Sequence, residues 1–87
     1  MVIAFVAPLQ SLSGTSRDML LEERMELADA LREAQNALKR AAPNGRDHQG
    51  VAGHFDRAVS AHVDRREALA AVLTSVQAEM KLIAQWE

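Results

Sequence analysis

Two polar residues, His62 and Arg66, stand one helical turn apart inside an otherwise apolar series. Such a pair can form a buried polar layer that fixes register and partner choice, sit in a splayed and solvated gap, or hold a ligand. Asp64 lies two residues from each and so points elsewhere on a helix. A carboxylate paired with Arg66 therefore has to come from another helix, and Glu22, Glu23 and Glu26 are the candidates. The histidines His48, His54 and His62 are spaced six and eight residues apart. Two imidazoles share one helix face only at spacings of three or four, and no cysteine accompanies these. No metal site and no cofactor are expected.

The inventory for catalysis is equally thin. There is no cysteine nucleophile, and the serines lie in connectors or on helix faces without a neighbouring histidine and acid. Asp18, Glu22, Glu26 and Asp29 share one broad face, as charges on a solvated helix do, with no enclosed cleft to alter their protonation. Gly45, Gly50 and Gly53 match no phosphate-binding signature. The chain is expected not to be an enzyme. Arg32, Lys39, Arg40 and Arg46 gather toward one end, and Arg40 and Arg46 are the candidate anion-binding residues. Helix C-termini collect such charges in any case, because cations there oppose the backbone dipole.

The elements that must position these residues are helices. Phe55, Val59, His62, Arg66, Leu69, Leu73, Val76, Met80 and Ile83 follow one another at alternating steps of four and three, the spacing of a seam along one helix that faces another. An earlier stretch repeats the pattern with Leu20, Arg24, Leu27, Leu31, Ala34, Leu38 and Ala41, and Leu21, Met25 and Ala28 widen its apolar face. Thr15-Ser-Arg-Asp18 has the form of a capping box with Thr15 as the cap. Pro43 cannot continue a helix, Asn44-Gly45 is a turn signal with a residue free to take positive φ, and Asp47 is placed to cap the next helix. The spacing thus predicts helix 1 over 16–41, a turn over 42–50 and a longer helix 2 over 51–85. An apolar arm rich in Val and Ile precedes them over 1–12.

Composition narrows the class. The 87 residues make a single domain, 1–87, with a formal net charge of −2 and only Phe5, Phe55 and Trp86 aromatic. A nucleic-acid binder needs a basic footprint or stacking platforms, so nucleic acid is not expected as a partner. No run reaches the ~20 apolar residues of a membrane span. The apolar start has no Lys or Arg before it, unlike a signal peptide, and a cytoplasmic location is expected. Small chains without disulfides reach stability by helix packing or association. Val72, Leu82 and Trp86 lie off the main stripe of helix 2, which suggests burial against more than one partner.

The run Pro43-Asn-Gly-Arg-Asp47, followed by Phe55, Ala58, His62, Arg65 or Arg66, Leu69, Val72, Val76 and Ile83, resembles small phage- and prophage-encoded helical hairpins of unassigned function. In these an Asn-x-Arg-Asp-Tyr-like turn precedes a long helix. The resemblance covers 43–83, with His48 standing where the tyrosine would be. It implies an accessory viral protein that binds and inhibits or diverts a bacterial host protein.

The expected fold is all-α: an antiparallel two-helix hairpin that dimerises into a four-helix bundle or a coiled-coil-like assembly. Self-association falls to Leu20, Leu27, Leu31, Leu38, Phe55, Val59, His62, Arg66, Leu69, Leu73, Val76, Met80 and Ile83. Val2, Ile3, Phe5 and Val6 are the candidate contacts for another protein, because an exposed apolar arm is otherwise a liability. The function expected is a non-enzymatic protein–protein interaction module. One alternative is a small-ligand or nucleotide sponge that uses inter-subunit arginines. Another is a structural or regulatory coiled-coil module with a weak nucleic-acid contact.

Overall fold

The computed structural model describes residues 1–86 and contains two α-helices, α1 (Arg17–Arg40) and α2 (His54–Ala84), connected through a 3-10 turn at Gly45–His48. The described residues contain no strand. The helices run antiparallel as a hairpin of 63 × 20 × 16 Å with a radius of gyration of 18.2 Å, where a globular chain of this length has about 12 Å. No helix is long and apolar enough to cross a membrane, among the described residues.

Local chemistry sets the helix ends. Ser16, not Thr15, caps α1: its Oγ accepts a hydrogen bond from the Met19 N–H at 3.2 Å. The cap therefore sits one residue later than the Thr15 box implies, and Asp18 lies in the first turn beside Arg17 rather than reaching back. In the turn, Asn44 Oδ1 accepts from the Arg46 N–H at 2.9 Å and caps the 3-10 segment. Asp47 lies inside that segment and caps nothing further on; α2 begins after Gly53 with no side-chain cap. The positive φ values fall at Gly50 (89°) and Gly53 (75°), not at Gly45. These two glycines make the reversal that the sequence placed at Asn44-Gly45.

Two contacts fix the register. Arg17 Nη1 donates to the Trp86 carbonyl at 3.1 Å, and Arg24 Nε donates to Glu79 Oε1 at 3.2 Å. Each step of seven residues up α1 is matched by seven down α2, so Leu20 lies level with Ile83 and Arg40 with Val63. Because α2 has 31 residues and α1 has 24, His54 to His62 extend beyond the end of α1.

The core sits toward the base of the hairpin, the end that carries the chain termini. Ala28, Leu73 and Val76 are buried together with Leu31 and Met80 against them, and Leu20 and Ile83 are buried nearer the termini. The α1 seam thus runs Leu20, Arg24, Ala28, Leu31, Gln35, Leu38, with Ala28 in the place expected for Leu27. Leu27 and Ala34 are exposed. One residue is 100° of helix, and the small Ala28 side chain lets the Leu73–Val76 surface come close where a leucine would hold it off.

The N-terminal arm meets this end of the hairpin, where Gln10 lies beside Trp86, Ser16 and Arg17. Along the arm Ile3 and Phe5 are 36% and 38% exposed, while Met1, Val2, Val6 and Leu9 are 80% or more exposed. Ser75 is buried on α2, level with Ala28 of α1.

Candidate interaction surfaces

The polar pair that interrupts the α2 seam splits in the structure. His62 is buried, level with Ala41 just past the end of α1, whereas Arg66 is exposed and lines a groove. The two do not make a common buried layer. Glu22, Glu23 and Glu26 do not reach Arg66 either: it lies level with Ala37, and those acids sit about 16 Å or more away along the rod.

The polar crossing lies elsewhere and with the charges exchanged. Arg24 of α1 pairs with Glu79 of α2 at 3.2 Å, and both side chains are largely covered, at 24% and 14% exposure. Glu23 also approaches Arg24, at 3.7 Å. Glu79 was not singled out in the sequence. The available signal was Arg24 itself, a cation in an apolar seam, which requires a carboxylate on the facing helix.

At the tip the turn brings together what the helix spacing keeps apart. His48 Nδ1 and His54 Nδ1 are 2.8 Å apart, one donating and the other accepting, and the His48 ring lies 6.0 Å from Phe55. This contact was hidden in the sequence because His48 belongs to the 3-10 turn and only His54 to α2. The described residues contain no group of three or more His, Cys, Asp or Glu that could hold a metal ion. Arg46 is drawn onto its own turn, with Nε donating to Asn44 Oδ1 at 3.2 Å, and Arg40 is exposed at the end of α1. They share no partner that would fix them around an anion.

The residues expected at a self-association seam divide into two sets. Leu20, His62, Leu73, Val76 and Ile83 are buried, and Leu31, Leu38, Leu69 and Met80 half-buried, within the single chain. Leu27, Phe55, Val59 and Arg66 remain outside. Phe55, Val59 and Val63, at 37%, 39% and 40% exposure, form a stripe along α2 from the part that reaches past α1 to the level of Arg40. Beside them an open groove of about 490 Å³ runs between the helices, lined by Gln35, Asn36, Leu38, Lys39, Val63, Arg66, Glu67 and Ala70. The four arm candidates divide too, with Ile3 and Phe5 partly covered and Val2 and Val6 almost fully exposed.

Among the described residues, apolar side chains stay exposed along the arm, on the tip stripe beside the groove, and at Met19, Met25, Leu27 and Leu82 of the base helices. Comparison with family models, with curated proteins and with solved structures finds no match to this chain. The reading of its function rests on these surfaces.

Proposed function

We propose that this chain is a non-enzymatic protein–protein interaction module that self-associates and uses its N-terminal arm to dock another protein. One observation carries the docking role: Met1, Val2, Val6 and Leu9 are 80% or more exposed along one short apolar segment. Apolar side chains displayed side by side on an ordered segment lose unfavourable contact with water only when a partner covers them. An extended segment also offers its backbone N–H and C=O groups, so strand addition to a partner's sheet edge is the recognition mode it suits. The phage resemblance agrees with this role and names a bacterial host protein as the target. The nucleotide-sponge alternative has no comparable support, since Arg46 is turned onto Asn44 and Arg66 shares its groove with Glu67.

Native mass spectrometry of the full chain, drawn gently from bacterial lysate, tests the reading. A stoichiometric complex with one protein is expected, and Val2→Asp with Val6→Asp should lower its yield at least 10-fold while helicity stays unchanged. Retention of the same partner by that double variant would remove the arm from the interface. A chain that carries nucleotides instead of protein would overturn the module.

A further inference from the structure

Accepting that the chain is a self-associating module, we infer that the groove near the tip is filled by the same groove of a second copy. Two-fold related α2 helices then cross over Val63 and Ala70, in place of two hairpins aligned along their whole length. Three observations lead there.

The first is area. The accessible surface is 6560 Å², while a compact monomer of 9.5 kDa exposes about 5,000 Å². A standard interface removes about 800 Å² from each partner, roughly half of that excess. The second is place. The inner faces of the base are already used by the opposite helix, with Ala28, Leu73, Val76 and Ile83 buried, so the seam that would build a full-length four-helix bundle is occupied. Met19, Met25, Leu27 and Leu82 are exposed toward the base, but the groove of about 490 Å³ lies in the tip half, beside the stripe of Val59 and Val63.

The third is self-complementarity. A two-fold contact requires the same patch to offer both partners of each pair. This patch holds a projecting Val63 and a small Ala70 two helical turns apart, with Arg66 and Glu67 between them. An antiparallel crossing centred between Arg66 and Glu67 sets Val63 of each copy over Ala70 of the other. It also brings Arg66 of each copy toward Glu67 of the other, twice by symmetry. Lys39, on the groove's other wall, adds a cation that the same Glu67 can meet.

Sedimentation of the full chain from about 1 to 500 μM, a range that brackets ordinary dimer affinities, tests this. A species of twice 9.5 kDa is expected. Val59→Glu with Val63→Glu should weaken it about 100-fold or more, since two carboxylates per copy would replace the apolar contact and be desolvated at the crossing. Both positions are near 40% exposed in the single chain, so circular dichroism should show unchanged helix content. Glu67→Arg should also weaken the dimer, and Arg66→Glu added to it should restore binding. Because the chain has no cysteine, mixing Val63→Cys chains with Ala70→Cys chains should yield a cross-link that neither forms alone. A dimer indifferent to all these changes would overturn the tip assignment and leave the module reading intact. A chain monomeric at 500 μM would overturn the second copy as occupant. The module reading would then stand or fall on whether native mass spectrometry finds a different protein bound.

Discussion

The two halves of the hairpin use one sequence pattern to different ends. At the base, Leu20, Ala28, Leu73, Val76 and Ile83 are buried. At the tip, α2 continues past the end of α1, and Phe55, Val59 and Val63 are 37–40% exposed along a stripe that ends beside the groove. A four-and-three seam marks which face of a helix is apolar. Whether that face is filled depends on how far the partner helix extends. The base is a small core between two helices, and the tip keeps its apolar stripe partly exposed.

The contrast is broken most directly by truncating one apolar residue in each half. Leu73→Ala removes a buried side chain from the cluster around Ala28 and should cost about 3 kcal/mol, a large fraction of the stability of a chain this size. Val59→Ala removes a side chain already 39% exposed and should cost about 0.5 kcal/mol in the monomer. Urea unfolding of dilute protein, below the association range, measures both. Equal costs would mean that the tip is packed as tightly as the base and would undo the comparison.

The turn gives the next largest effect. Gly53 precedes α2 with φ 75° and ψ 0°, a left-handed conformation in which an L side chain costs about 1–2 kcal/mol. A Cβ there would also come within 3.2 Å of Arg57 Nη1, the free end of a flexible side chain that can move aside. Gly50 has φ 89° and open space around it. Gly53→Ala and Gly50→Ala should therefore each lose about 1 kcal/mol, differing by no more than a few tenths. If neither change alters the unfolding midpoint, the tip opens independently of the base, and the two halves are separate cooperative units.

Much of this architecture can be read from residue spacing, and the exceptions have physical causes. Both helices and their antiparallel order follow from the seams, Pro43 and the glycines of the turn. The phase of the α1 seam does not: Leu27 is the more apolar choice, yet Ala28 faces inward because close approach favours the smaller residue. Ser16 and Thr15 are chemically near-equivalent caps, and only the geometry at the Met19 N–H selects between them. The partly covered and exposed residues of the arm were not separable by composition, since Val2, Ile3, Phe5 and Val6 are all apolar. Of the candidate surfaces, the arm was legible as apolar chain without a partner helix. The groove at Val63 and Ala70 was not, because it depends on the register set by Arg17–Trp86 and Arg24–Glu79.

That register offers the smallest and most specific test. Arg24 and Glu79 are each less than one-third exposed, so their attraction is screened less than that of a surface pair. Glu23, 3.7 Å from Arg24, still offers the guanidinium a second carboxylate when Glu79 is neutralised. Glu79→Gln should therefore cost about 1 kcal/mol, well short of what a fully buried, singly paired ion would lose. Adding Glu23→Gln removes the substitute, and the double variant should lose more than the two single variants together. Strict additivity would show that Glu23 lends Arg24 nothing. A cost near zero for Glu79→Gln would show that the helices of the base hold their register through Leu20, Ala28, Leu73 and Ile83 alone, with the ion pair following the packing.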